Sequence, residues 1–282
     1  MTQFESLTSD PTQVGVSVMG ILNVTPDSFS DGGRYLAVND AVAHALHLIG
    51  DGADIIDVGG ESTRPGARSV SASEEIDRVV PVIEAIAKES SVPVSIDTSK
   101  PAVMRAAAAA GAAMINDVRA LTLDGALAAA ADLGLPVCLM HMQGEPGSMQ
   151  VNPVYHDVVE EVRTFLLDRA DACIKSGIPR EQIILDPGFG FGKTLEHNLA
   201  LLRGLDRMVD TGFAVLAGLS RKSIIGSLLG DQERDRVAGS VTLALYAVRQ
   251  GAHIVRVHDV AQTADALRVE AAVAGPDGIR VN

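Results

Sequence analysis

The sequence predicts a closed barrel of eight parallel strands alternating with helices, the (β/α)8 or TIM-barrel class, built as a single α/β domain. Eight short apolar runs recur along 282 residues, and 47% apolar content is enough to fill one large core. Barrels of this class typically take roughly 250 residues. The runs are near-continuously apolar, as strands covered on both faces must be, and amphipathic helical segments separate them. Every run also ends in a polar or Gly-rich motif. In such a barrel all eight strand C-termini converge on one face, where ligands bind, so motifs scattered from Asn23 to His258 read as one pocket. An open doubly wound sheet also satisfies sequential βα units, but eight of them favour closure.

The first run, residues 16–22, ends at Asn23 and leads into a turn-rich stretch, residues 25–36, with Pro26 and Gly32-Gly33. Val42, Ala45, Leu46 and Ile49 then fall at i, i+3, i+4 and i+7, one face of a helix. The second run, 55–58, opens Asp57-Val-Gly-Gly-Glu-Ser-Thr-Arg64 and a second long loop, 59–71. Loops this rich in Gly and Pro are candidate lids. Ser71-Ala-Ser-Glu74 is a capping box for the helix that carries Ile76, Val79, Val80 and Ile83. Residues 92–96 end at Asp97, and Pro101 belongs in the first turn of an Ala-rich helix. The remaining runs are 112–115 before Asn116-Asp117, 137–140 before His141, 183–185 before Asp186, 213–217 before Ser220-Arg-Lys222, and 254–257 carrying Arg256 toward His258. Residues 1–14 read as a tail or a cover over the barrel bottom, 15–275 as the barrel domain and 276–282 as a C-terminal tail.

Acidic residues outnumber basic ones 36 to 23, a net charge of −13, so a nucleic-acid backbone would meet a repulsive field. An anionic ligand must therefore bind through a local cationic cluster. The opening Met-Thr-Gln-Phe-Glu-Ser lacks the basic segment and apolar core of a signal peptide, and no long apolar stretch offers a membrane span, which points to the cytoplasm. Cys138 and Cys173 have no CxxC spacing and read as small buried hydrophobes.

Arg256 and His258 alternate along the last strand and Lys222 closes the one before it, so three cations can face one spot. Either Arg256 pairs with Asp259 or another acid and His258 is a hydrogen-bonded wall residue, or the group holds a phosphate or diphosphate. Asp97, Asn116 and Asp186 end their strands on apolar approaches. They either cap helices and pair with Lys222, or they meet the hydrogen-bonding edge of a pterin or purine ring, on which Phe191 could stack. Mg2+ held mainly by substrate phosphate oxygens fits the residues better than an all-protein metal site. Gly188-Phe-Gly-Phe-Gly192-Lys-Thr194 superficially matches a P-loop, but that register needs glycine where Pro187 stands.

The ordered motifs resemble those of the dihydropteroate synthase family. Gly20-Ile-Leu-Asn-Val-Thr-Pro-Asp-Ser-Phe-Ser-Asp-Gly-Gly33 and Asp57-Val-Gly-Gly-Glu-Ser-Thr-Arg-Pro-Gly66 are similar to its two signature segments. Ser95-Ile-Asp-Thr98, Asn116-Asp117, Leu139-Met-His-Met-Gln143, Asp186-Pro-Gly-Phe-Gly190, Ser220-Arg-Lys-Ser223 and Arg256-Val-His-Asp259 follow in the family's order. Residues 118–121 depart from the Ser/Gly-rich turn that many members carry.

The resemblance implies a transferase of folate biosynthesis that joins a dihydropterinylmethyl diphosphate to 4-aminobenzoate by an SN1-like route. It implies that Asp97, Asn116, Met140, Asp186, Phe191, Gly218 and Lys222 bind the pterin. Asn23, Thr63, Arg256 and His258 would take the diphosphate, with Asn23 also at Mg2+. Asp97, Lys222, Arg256 and His258 would carry the catalysis. Phe29, Asp31, Arg64, Pro65 and Ser223 would complete the 4-aminobenzoate pocket as the two loops close, which makes the protein a sulfonamide target. A homodimer through the outer helices is implied likewise. The nearest rival, a pterin-binding methyltransferase, has no diphosphate to hold, and Arg256-Val-His258 argues against it.

Overall fold

A computed structural model describes residues 15–25, 33–62, 68–144, 149–275 and 281, with side chains from Val38 onward in the first helix. The strands are β1 (Ser17–Asn23), β2 (Ile55–Gly59), β3 (Val94–Asp97), β4 (Met114–Asp117), β5 (Val137–Met140), β6 (Ile183–Asp186), β7 (Ala214–Ala217) and β8 (Ile254–Val257). They close in chain order, all parallel, with β8 returning to β1. The sequence-predicted (β/α)8 barrel is the observed fold.

Two cores result from the two faces of each strand. Outward residues such as Val18, Ile56, Ile96, Ile115, Leu139, Leu185, Val215 and Val255 join the helices in one large buried cluster. Inward residues Met19, Ile55, Met114, Cys138, Ile184, Ala214, Leu216 and Ile254 fill the barrel with a separate apolar plug. Side chains alternate with period 2, so the residues two places beyond that plug also point inward, nearer the C-terminal face. Those residues are Ile21, Asp57, Asn116, Met140, Asp186, Gly218 and Arg256, four of them polar or charged. The barrel interior thus changes from dry to polar within one layer.

Several strands run one or two residues past their apolar runs, because the parallel ladder continues through Asn23, Asp97, Asn116 and Asp186. Ser71 caps the helix Ala72–Glu89 by accepting from the Glu74 amide at 3.1 Å. The reciprocal arm of the expected capping box goes elsewhere, since the Glu74 carboxylate takes Arg78 at 2.5 Å. Pro101 begins its helix as expected. One expectation is corrected: the stretch 25–36 is not loop throughout, because the helix Gly33–Gly50 already includes Gly33. Once Ala41, Val42, Ala45 and Leu48 anchor that helix in the core, extending it back to Gly33 costs far less than nucleation did. At the opposite end of the barrel Val281 makes a parallel bridge to Val16.

Candidate active site

Strand register lines up Asn23, Gly59, Asp97 and Asn116 in one row across β1 to β4. Gly59 leaves a gap in this row. A Cβ there would sit 3.6 Å from the Asp97 Cβ and 3.8 Å from both Asn23 Oδ1 and Asp97 Oδ2. The amide oxygen and the carboxylate therefore flank a small open cradle.

Beneath the row lies Asp57, fully buried. Its Oδ2 accepts from Arg256 Nε at 2.6 Å and from Asn116 Nδ2 at 3.0 Å, while Arg256 Nη2 donates to Asp97 Oδ2 at 2.8 Å. A buried charge is costly unless paired, and here one guanidinium serves two carboxylates. Burial works against the Arg256 charge, but Asp57 and Asp97 more than reverse that effect and keep the guanidinium protonated. Burial raises the Asp97 carboxyl to about 7; Arg256 opposes the shift, while the nearby carboxylates of Asp57, Asp117 and Glu75 add to it. With its NH2 committed to Asp57, Asn116 turns its Oδ1 away, and that buried oxygen has no partner among the described residues. It is an acceptor reserved for a donor from outside.

The opposite wall is built by the Gly-rich loop after β6. Asp186 Oδ1 accepts from the Gly188 amide at 2.7 Å, and burial pushes the Asp186 pKa up while Lys222 and Arg256 restrain it. Lys222 donates to the Phe189 carbonyl and lies 4.7 Å over the Phe191 ring. Burial lowers the Lys222 pKa to about 8, against the pull of Asp186. Its neighbour Arg221 takes the left-handed φ of 56°, unusual for a non-glycine residue, and clamps Asp259 through both guanidinium ends at 3.0 and 2.5 Å. This clamp ties the end of β7 to the end of β8. At Gly218 a Cβ would lie 3.9 Å from Lys222 Nζ and 4.0 Å from Arg256 Cβ, so the missing side chain leaves room between the two cations. His258 meets Ser220 Oγ through its ring Nδ1 at 3.0 Å and its amide at 3.1 Å.

Asn23, Asp97, Asn116, Met140, Asp186, Phe191, Gly218, Lys222, Arg256 and His258 thus all belong to the C-terminal mouth of the barrel. Ser223 is exposed at the start of the helix Ser223–Leu229, next to Lys222. Phe29, Asp31, Thr63, Arg64 and Pro65 lie outside the described residues. The expectation of three cations converging on an anion changes in one respect. Arg256 is paired with Asp57 and Asp97, and Asp259, its neighbour in sequence, belongs to Arg221 instead. Sequence reasoning missed Asp57 as a site residue, although its phase with Ile55 and Gly59 on β2 marks it as inward-facing. It also gave no role to Ser220, although the Ser220-Arg-Lys-Ser223 motif begins with it. Cys138 and Cys173 are buried free thiols, and burial raises the pKa of both, consistent with packing roles. Among the described residues there is no metal-holding cluster of three or more His, Cys, Asp or Glu, and no helix is long and apolar enough to cross a membrane.

Residues 19–258 match the family described as pterin binding enzyme. Dihydropteroate synthase of Escherichia coli K12 is 56% identical over 252 residues, which is 89% of each chain. The structure of Xanthomonas albilineans dihydropteroate synthase with 4-aminobenzoic acid superimposes with a TM-score of 0.87 at 54% identity, covering 93% of this chain and 94% of that one. The same organism's enzyme in complex with 7,8-dihydropteroate gives a TM-score of 0.84 at 51% identity, covering 93% and 95%.

Proposed function

The chain belongs to the dihydropteroate synthase family, and we propose from that premise how its barrel mouth divides the reaction. It condenses (7,8-dihydropterin-6-yl)methyl diphosphate with 4-aminobenzoate, giving 7,8-dihydropteroate and diphosphate. The observation that carries the assignment of roles is the Asp57 hub, which orients Asn116, Arg256 and, through Arg256, Asp97.

The pterin edge presents adjacent N–H and amino donors, and Asp186 with the orphaned Asn116 Oδ1 supplies the acceptors. Met140 and Phe191 flank the ring, Gly218 leaves it space and Lys222 adds a donor. Cleavage of the C–O bond sends the electron pair to the diphosphate and leaves a pterinylmethyl cation delocalised over the electron-rich ring. Asp97 stabilises that cation. Arg256 and His258, with Asn23 and Thr63, hold the departing anion. The aniline nitrogen of 4-aminobenzoate then bonds to the methylene carbon and loses a proton. The cradle beside Gly59 fits Mg2+ carried in by diphosphate oxygens, with Asn23 Oδ1 as the protein ligand. Bound there, the ion would supply positive charge to the leaving group. Phe29, Asp31, Arg64, Pro65 and Ser223 are assigned to 4-aminobenzoate. The reading includes a cytoplasmic homodimer, whose mass light scattering measures.

The direct test is diphosphate release by the purified chain with the pterin diphosphate, Mg2+ and 4-aminobenzoate. Release that requires 4-aminobenzoate supports the reading, and none under any condition rejects it. For the pterin slot, Asp186→Ala is expected to weaken binding of a pterin fragment by about 1.5 to 3 kcal/mol, the worth of hydrogen bonds to a charged acceptor. Calorimetry measures it, and wild-type affinity in the variant would move the pterin elsewhere. For the loops, 4-aminobenzoate is expected to bind better once the pterin site and Mg-diphosphate are filled, by roughly 1 to 3 kcal/mol. Equal affinity with and without them would mean that its pocket is preformed.

A further inference from the structure

The Gly188 to Thr194 run resembles a phosphate-binding loop, yet the structure gives its lysine another use. Lys193 is 3% exposed. Its Nζ meets four polar atoms: the Gly188 carbonyl at 2.9 Å, the Phe191 carbonyl at 3.0 Å, His141 Nδ1 at 2.9 Å and the His141 carbonyl at 3.3 Å. Burial holds the Lys193 pKa well below the usual lysine value, with Asp186 opposing the shift and Lys222 adding to it. Burial and Lys193 lower the His141 pKa to about 3, so the imidazole is neutral and its Nδ1 meets the amine as acceptor or donor according to the tautomer.

The loop is shaped around this amine. Gly188 and Gly192 adopt φ of 67° and 60°, and a Cβ on either would strike a backbone carbonyl, 1.9 Å from His141 O and 2.4 Å from Gln143 O. Only glycine permits the close wrapping. Asn198 fastens the outside of the wrap, accepting from the Gly190 amide at 2.7 Å and donating to the Lys193 and Thr194 carbonyls. The tether reaches the ligand-facing groups directly. Asp186 is bonded to the Gly188 amide, its carbonyl accepts from the His141 amide at 3.0 Å, and Phe191 lies between Gly190 and the lysine cage.

We propose that Lys193 is a positioning residue of the pterin slot, a buried amine around which the loop folds so that the Asp186 carboxylate and the Phe191 ring face the ligand. Lys222 grips the same loop through the Phe189 carbonyl, while Lys193 holds the carbonyls of Gly188 and Phe191. The proposal rests on the assignment of the pterin to Asp186.

The test compares Lys193→Met with wild type, using pterin-fragment affinity by calorimetry and steady-state constants for both substrates. The fragment Kd and the KM for the pterin diphosphate are expected to rise at least about tenfold, the loss following from unsatisfied buried acceptors. The KM for 4-aminobenzoate at saturating pterin diphosphate should stay at its wild-type value. Wild-type pterin affinity in a variant with native near-UV circular dichroism would overturn the proposal, as would an equal rise in both KM values, which marks a general loss of structure. If Lys193→Met does not fold, His141→Ala removes one partner of the Lys193 amine and should raise the pterin KM about threefold. No change in that variant would also overturn the proposal. Asp186→Ala separates the two readings: if it too binds the fragment normally, the pterin assignment has failed, and if it alone loses affinity, only the role of Lys193 has.

Discussion

Arg256→Met should abolish measurable diphosphate release and destabilise the fold by about 3 to 5 kcal/mol, the usual cost of removing one partner from a buried ion pair. The guanidinium is the shared counterion of Asp57 and Asp97, and Asp57 is fully buried with one oxygen already unpartnered. Without the arginine, two carboxylates remain in a low-dielectric pocket with no cation bonded to them. Chemical denaturation and the release assay measure the two effects. Adding Asp97→Asn to Arg256→Met should recover little of the stability, because Asp97, lifted to about 7 even beside the arginine, already sheds its charge by taking up a proton, and none of the turnover. A stable single variant would mean that the triad is solvated far more than its burial indicates, and retained release would remove Arg256 from the leaving-group site.

Asp97→Asn should leave pterin-fragment affinity near normal while lowering kcat by about a hundredfold to a thousandfold, the scale of one preorganised electrostatic contact in a transition state. The charge matters most when the cation forms. Because the Asp97 carboxyl is lifted to about 7, the ionised form develops only as pH rises through that value. Wild-type turnover should therefore climb across this range, and the climb should be absent in Asp97→Asn. Stability runs the other way. An unfolded aspartate titrates near about 3.9, so the folded state binds the extra proton between that value and about 7. The resulting stabilisation is complete below the unfolded value and is lost as pH rises through the folded one. Wild type should thus lose more stability than Asp97→Asn between pH about 5 and about 8. Identical kcat profiles in the two proteins would assign the limb to another group and defeat the cation-stabilising role.

By itself the sequence determined the barrel and the composition of its mouth. Eight apolar runs separated by helical periodicity define the strand count, and period-2 alternation places Asp186 two residues beyond Ile184 and Asn116 two beyond Met114 on the inward face. Those relations are local, so they survive without coordinates. The motif order supplied the family and with it the reaction. Helix ends were less legible: the glycine pair at 32–33 reads as a turn, but core contacts made a turn or two later carry the helix through Gly33.

Only the tertiary structure decided which charges meet. Arg256 stands three places from Asp259 in the chain yet bonds Asp57 and Asp97, 199 and 159 residues away, while Asp259 goes to Arg221. Barrel closure places β8 beside β1, and the inward side chains of β2, β3 and β8 meet inside the barrel, whereas Asp259 has already left the strand. Lys193 is the same kind of case. Its sequence context matches a phosphate loop only superficially, and its partners are carbonyls of its own loop and a histidine from β5's end. A buried ion takes the counterions that folding brings within hydrogen-bond distance, because unpaired charge is too costly there to wait for a neighbour in sequence.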